Sequence, residues 1–131
     1  MKRSKLQTVL CIDDDDEYNF LTQEAFNDYQ YDGQLVFHTS AEAALEYLSQ
    51  LDELPNVIIL DINMPAMNGW DFLDAFEAKQ FMGSEQTHIF MHSSSVFDSD
   101  KERAAGYKYV CGFIDKPILQ ENIEAIANQY F

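Results

Sequence analysis

Val57-Ile58-Ile59-Leu60-Asp61-Ile62-Asn63-Met64-Pro65-Ala66-Met67-Asn68-Gly69 is the stretch on which the fold turns. Val57 to Leu60 is apolar at every position, with no alternation. A strand reads this way when both of its faces are buried, as in a parallel sheet covered by helices. Asp61 closes the run, and Met64-Pro65 and Gly69 mark a loop before the next helix. An acid placed directly after a buried strand and before such a loop is not an ordinary turn aspartate.

Working outward, Val9 to Ile12, Leu35 to Phe37, Ile89 to Met91 and Val110 to Ile114 read as further strands. The stretches between them have helical spacing. Asp16 to Tyr29 is predicted as a helix with Tyr18, Leu21, Ala25 and Tyr29 on one face. Ser40 caps a helix carrying Ala41, Ala44, Leu45 and Leu48. Gly69 opens one with Trp70, Leu73 and Phe76 inward, and a short polar helix spans Ser99 to Ala105. The last carries Leu119, Ile123, Ile126 and Tyr130. Strands alternating with helices, joined by right-handed crossovers, give an α/β fold: a five-stranded doubly wound parallel sheet with helices on both faces. At 131 residues and 47% hydrophobic, the chain suits a single domain spanning 1–131 with one packed core.

The net charge of −15 argues against direct binding of nucleic acid or an anionic membrane. Met1-Lys2-Arg3-Ser4-Lys5 is basic, but the apolar run after it is too short for a signal peptide or a span, so a cytoplasmic protein is expected. Cys11 and Cys111 lie in apolar runs without metal-ligand spacing and read as small buried hydrophobes. His38, His88 and His92 are scattered over strands and read as structural, although His92 borders the reactive rim.

Polar groups gather at one end of the strands. Asp13 and Asp14 follow the first, Asp61 the third, Ser93 the fourth and Lys116 the fifth. In a parallel sheet these are the carboxyl ends, where open α/β sheets bind ligands beside the reversal of strand order. Carboxylates crowded there need compensation. Mg²⁺ takes oxygen ligands, and Lys116 adds an ammonium, so the group makes an anion pocket with a metal, a cation and a hydroxyl. Such a pocket suits a phosphoryl group carried on one of its own carboxylates, with Asp61 as the natural nucleophile. Asp15 and Asp16 extend the acid run and favour the start of the first helix.

Asp61-Ile62-Asn63-Met64-Pro65 through Gly69 resembles the acceptor motif of two-component response-regulator receivers, and Ile12-Asp13-Asp14 is similar to their acidic metal-binding pair. Ser93 and Lys116-Pro117 match their switch hydroxyl and their lysine–proline pair, commonly a cis peptide. The resemblance runs over essentially the whole chain and implies a flavodoxin-like (βα)5 fold, like that of the chemotaxis regulators. It implies that Asp61 takes a phosphoryl group from a histidine kinase, a histidine phosphotransfer protein or a small phosphodonor. Mg²⁺ would be held by Asp13, Asp14, Asp61 and the backbone carbonyl of Asn63. Lys116 would pair with Asp61 and then with the phosphate, Ser93 would swing toward it, and Phe113 would follow as the aromatic switch. Asn63 and Ser95 fall where the family tunes phosphoryl lifetime. The output partner is unknown, and the face built from the fourth helix, fifth strand and fifth helix is expected to meet it. Since the chain stops soon after the last predicted helix, its output is expected to lie on another protein.

Ser93, Ser94 and Ser95 are consecutive, so a one-residue slip would move the switch hydroxyl. Gly106-Tyr107-Lys108-Tyr109 lengthens the approach to the fifth strand, its aromatics either packing or shaping a partner surface. Two rival functions differ in kind. A degenerate receiver would act as an interaction module without phosphorylation, but it is expected to lack one of the groups present here. A small aspartyl-phosphate phosphatase of the haloacid dehalogenase type would use Asp13 and Asp15, but Glu17 stands where that family has Thr or Val, and no acidic pair follows Lys116. A flavodoxin-like cofactor binder would need a hydroxyl- and Gly-rich phosphate loop after the first strand, where four aspartates stand.

Overall fold

The computed structural model describes residues 6–131; the basic segment Met1 to Lys5, read above for targeting, lies outside them. Strands and helices alternate as β1 Thr8–Ile12, α1 Asp16–Asp28, β2 Gln34–His38, α2 Ala41–Ser49, β3 Val57–Asp61, α3 Gly69–Lys79, β4 His88–Ser93, α4 Asp98–Ala104, β5 Val110–Asp115 and α5 Gln120–Tyr130. A 3₁₀ turn at Ser84–Gln86 leads into β4. The sheet order is β2-β1-β3-β4-β5 and every pairing is parallel. The order reverses between β1 and β3, which sets their carboxyl ends side by side.

Side chains alternate across a strand, so each central strand feeds two core layers. Leu10, Ile12, Ile58, Leu60, Ile89 and Met91 pack with α2 and α3. Val9, Cys11, Val57, Ile59, Phe90 and Ile114 pack with α1 and α5. Because both faces are covered, β3 is buried at all five of its positions, the pattern that its sequence shows. Ser40 accepts a hydrogen bond from the Ala43 N–H and caps α2, whose buried face is Ala41, Ala44, Leu45 and Leu48. Trp70, Leu73 and Phe76 face inward from α3, joined by Phe72.

The structure corrects three expectations. The buried face of α1 is Thr22, Ala25 and Phe26, while Leu21 is exposed. Thr22 lies three residues before Ala25 and four before Phe26, so the buried stripe centres on Thr22, with Leu21 at its exposed edge. Leu119 lies outside α5 at its N-cap and is exposed, leaving Ile123 and Ile126 to bury the helix. Cys111 is exposed, unlike Cys11. The β4–β5 register shifts between Ile89 and Phe90, whose partners are Val110 and Gly112, so Cys111 is the extra residue of a bulge. The tyrosines before β5 pack inward. Tyr107 stacks on Trp70 and donates a hydrogen bond to Asp74, and Tyr109 sits edge-on to Phe76.

Candidate phosphoryl and metal site at the carboxyl rim

Backbone geometry gives the four acids after β1 different surroundings. The Asp13 N–H donates to the His38 carbonyl (3.1 Å), carrying the β1–β2 ladder one residue further. Its side chain is buried, and Oδ1 accepts from the Asp15 N–H at 2.9 Å. Asp15 in turn accepts from the Glu17 N–H and is the N-cap of α1, with Asp16 and Glu17 in the first turn. Asp14, between the inward acid and the cap, is exposed. The Asn19 amide donates to the Asp13 carbonyl at 3.0 Å and ties the helix to the rim.

Asp61 ends β3 and is only 4% exposed. Its Oδ1 accepts from the Asn63 N–H at 3.3 Å, and buried Ile62 and Met64 anchor the loop that follows. Gly69 is required by close approach. A Cβ there would lie 2.6 Å from the Asp61 carbonyl oxygen, and the Gly69 N–H already donates to the Ile62 carbonyl at 2.9 Å. Asn68 caps α3 reciprocally with Asp71, fixing where the helix starts behind the loop.

Lys116 follows β5, and its N–H donates to the Ser93 carbonyl at 3.0 Å. The Lys116–Pro117 peptide is cis, as expected. The ammonium reaches back over the rim, 2.8 Å from Asp13 Oδ2 and 3.3 Å from Asp61 Oδ1, and its side chain is only 7% exposed. Ser93 is the last residue of β4 and is buried, whereas Ser94 and Ser95 are exposed. Its hydroxyl donates to the Ser95 carbonyl and accepts from the Ser95 N–H, turned onto its own loop. Phe113 pairs with Met91 across β4–β5 and is half-buried against the α2–α3 core layer.

The charges are crowded. Burial, followed by the Asp13 charge, pushes the Asp61 carboxyl up to about 6, against the opposing pull of Lys116 and the Asn63 N–H. Burial alone would lower the Lys116 ammonium, but contact with Asp13 and the charges of Asp13 and Asp61 outweigh it and hold it above its ordinary value. Asp13, Asp14 and Asp61 each offer a carboxylate oxygen, all within 4.8 Å of one another. Asp13 Oδ2 is buried, and the Lys116 ammonium at 2.8 Å is its sole partner among the described residues. Hard oxygen donors with charge left to neutralise suit Mg²⁺. The histidines stay out of this group: His38 packs tilted against Tyr47, His88 packs on Tyr130, and His92 is buried beside Asp61 in the β3–β4 register. Burial, with the Lys116 charge added, lowers His92 to about 3, so it is neutral near pH 7.

Sequence reading therefore names Asp13, Asp14, Asp61 and Lys116, and the structure brings all four together. Ser93 borders them, Asn63 contributes a backbone contact, and Phe113 stands one layer away. Two residues at the rim were missed. Asn19 holds the Asp13 carbonyl, and the Tyr18 ring lies under the Lys116 ammonium, 4.4 Å from Nζ to ring centroid. The signal for both was their place in the first turn of a helix that begins at the reactive rim.

Residues 9–128 match the response regulator receiver domain family. The chain belongs to that family, and its fold is that of the chemotaxis-type receivers. A two-component response regulator from Cytophaga hutchinsonii is 32% identical, with a TM-score of 0.80 over 96% of this chain and 97% of its own. A chemotaxis protein of Vibrio cholerae, CheY4, shares the fold at 20% identity, with a TM-score of 0.80 over 97% of this chain and 100% of that one. A probable methanogenesis regulatory protein of Methanothrix harundinacea is 25% identical over 121 residues, 88% of this chain and 76% of the relative. Among the described residues, no helix is long and apolar enough to cross a membrane.

Proposed function

We propose that the chain accepts a phosphoryl group on Asp61 and uses it to switch a partner-binding face. The observation that carries this reading is a buried aspartate at a strand end, with Asp13 and Asp14 oxygens within 4.8 Å and the Lys116 ammonium at 3.3 Å. An Asp61 carboxylate oxygen attacks phosphorus and forms the acyl phosphate, while the bond to the donor breaks and the donor leaves with that electron pair. Asp13, Asp14, Asp61 and the Asn63 backbone carbonyl would hold Mg²⁺, which when bound neutralises charge on the phosphoryl oxygens. Lys116 shifts its pairing from Asp61 to a phosphoryl oxygen. Ser93 turns from the Ser95 backbone toward the same group, and Phe113 follows it inward.

The donor on this reading is a histidine kinase or a histidine phosphotransfer protein. The output partner meets α4, β5 and α5, where Phe97 is 66% exposed and Leu119 is 49% exposed. A phosphatase using Asp13 and Asp15 is disfavoured, because Asp15 caps α1 through the Glu17 N–H and is not part of the Asp13, Asp14 and Asp61 cluster. Intact mass after incubation with acetyl phosphate tests the reading. A gain of one phosphoryl group that needs Mg²⁺ and is lost in Asp61→Asn is expected. No gain from acetyl phosphate or from any purified histidine kinase or phosphotransfer protein would leave a receiver that binds without being phosphorylated.

A further inference from the structure

We infer that Tyr18 is a positioning residue for phosphoryl transfer, its ring face holding the Lys116 ammonium over Asp61. This inference rests on the phosphoacceptor reading of the same rim. Among the described residues, the ammonium meets three ionic or aromatic neighbours: Asp13 Oδ2 at 2.8 Å, Asp61 Oδ1 at 3.3 Å and the Tyr18 ring centroid at 4.4 Å. Tyr18 is half-buried and stands in the first turn of α1, which the Asp15 cap and the Asn19 contact tie to the rim. The ring therefore sits on a fixed mount.

The three neighbours differ in how they respond to a charged ligand. A divalent cation on the acid cluster shares the Asp13 and Asp61 charges and loosens their grip on Lys116. The ring is uncharged, so its quadrupole keeps attracting the ammonium. Lysine ends a flexible four-carbon stem, and without a wall it gains freedom when its carboxylate partners are engaged elsewhere. The ring also offers no charge to compete with phosphoryl oxygens. Tyr18 thus keeps Lys116 in place while Lys116 changes partner, and the ring face rather than the phenol hydroxyl is what matters.

The test compares wild type, Tyr18→Phe and Tyr18→Leu. In metal-free protein with labelled lysine ε-carbons, the Lys116 methylene signal is identified by its loss in Lys116→Arg. The aromatic ring current should displace that signal upfield in wild type and Tyr18→Phe, and Tyr18→Leu should return it to the range of exposed lysines. With Mg²⁺ and acetyl phosphate, Tyr18→Leu should gain the phosphoryl group about three- to tenfold more slowly, and Tyr18→Phe within about twofold of wild type. An unmoved Lys116 signal in Tyr18→Leu, or equal slowing in both variants, overturns the inference. If wild type takes no phosphoryl group from acetyl phosphate or from a histidine kinase or phosphotransfer protein while the displaced signal persists, the phosphoacceptor reading fails. The purpose given to Tyr18 fails with it, although the contact itself stands.

Discussion

Asp61 shows most directly what the rim does to a single residue. Its carboxyl is raised from 3.8 to about 6, so the folded state favours the protonated form. A raised folded pKa contributes stability that is fully present below the unfolded value and is lost as pH rises through the folded one. Metal-free protein should therefore lose this contribution between about pH 4 and pH 6. Asp61→Asn removes the ionisable group. In metal-free buffer it should melt above wild type at pH 7.5, by on the order of 1–3 kcal/mol, and the gain should shrink toward pH 4. Calorimetry of both proteins across that window checks the sign. The acids and the lysine of this site were legible in the sequence because each stands within two residues of the end of an apolar run, and strand ends are the easiest points of an α/β chain to locate. Tyr18 was not legible in its role. A tyrosine at helical spacing reads as a packing residue, and only the fold brings it to a lysine 98 positions later.

At the scale of elements, two junctions hold the rim in shape. Gly69 lets the start of α3 touch the backbone of the acceptor loop, since a Cβ would come within 2.6 Å of the Asp61 carbonyl oxygen and 3.0 Å of Ile62 Cα. Neither contact is the end of a flexible side chain, so the backbone itself must shift. Gly69→Ala should cost about 1–3 kcal/mol in urea unfolding and should slow phosphoryl uptake by displacing Asp61. The second junction joins α3 to α4 and the approach to β5. Arg103 lies over the Trp70 ring at 4.7 Å, Tyr107 stacks on the same ring, and the Tyr107 hydroxyl donates to Asp74 at 2.7 Å. Trp70 is the sole tryptophan, so its emission reports on this junction directly. Arg103→Ala should change the Trp70 emission and lower stability by about 0.5–1 kcal/mol. Element positions were legible to within a few residues, because apolar runs and the Ser40 cap mark them. The face of α1 was not, since Thr22 counts as polar in a pattern of apolar letters and yet is buried. The bulge at Cys111 was equally hidden, because one extra residue in a strand leaves no mark until its partner strand is known.

Across the whole molecule, the sheet order converts separate sequence signals into one place. With β1 and β3 adjacent at the reversal, Asp13 and Asp61 face each other, and β5 returns Lys116 from the far side of β4. The doubly wound class was legible from the alternation of strands with helical stretches together with β3, whose burial at every position needs a sheet covered on both faces. The charge of −15 is also a property of the whole. Added monovalent salt should raise the melting temperature of every variant by screening self-repulsion. Mg²⁺ should raise it further in wild type at constant ionic strength, with a smaller gain in Asp14→Ala, whose acid cluster has lost one oxygen donor. Equal Mg²⁺ effects in the two proteins would mean screening alone.

The central claim is that Asp61 carries the phosphoryl group, and the most direct measurement is chemical trapping of that bond. Protein incubated with acetyl phosphate and Mg²⁺ is treated with borohydride, which reduces an aspartyl phosphate to homoserine and releases phosphate. Peptide masses then locate the converted residue. Homoserine at position 61, absent without Mg²⁺ or phosphodonor, is the expected result. Conversion at Asp13 or Asp14 with position 61 unchanged would contradict the assignment and return the rim to a different nucleophile.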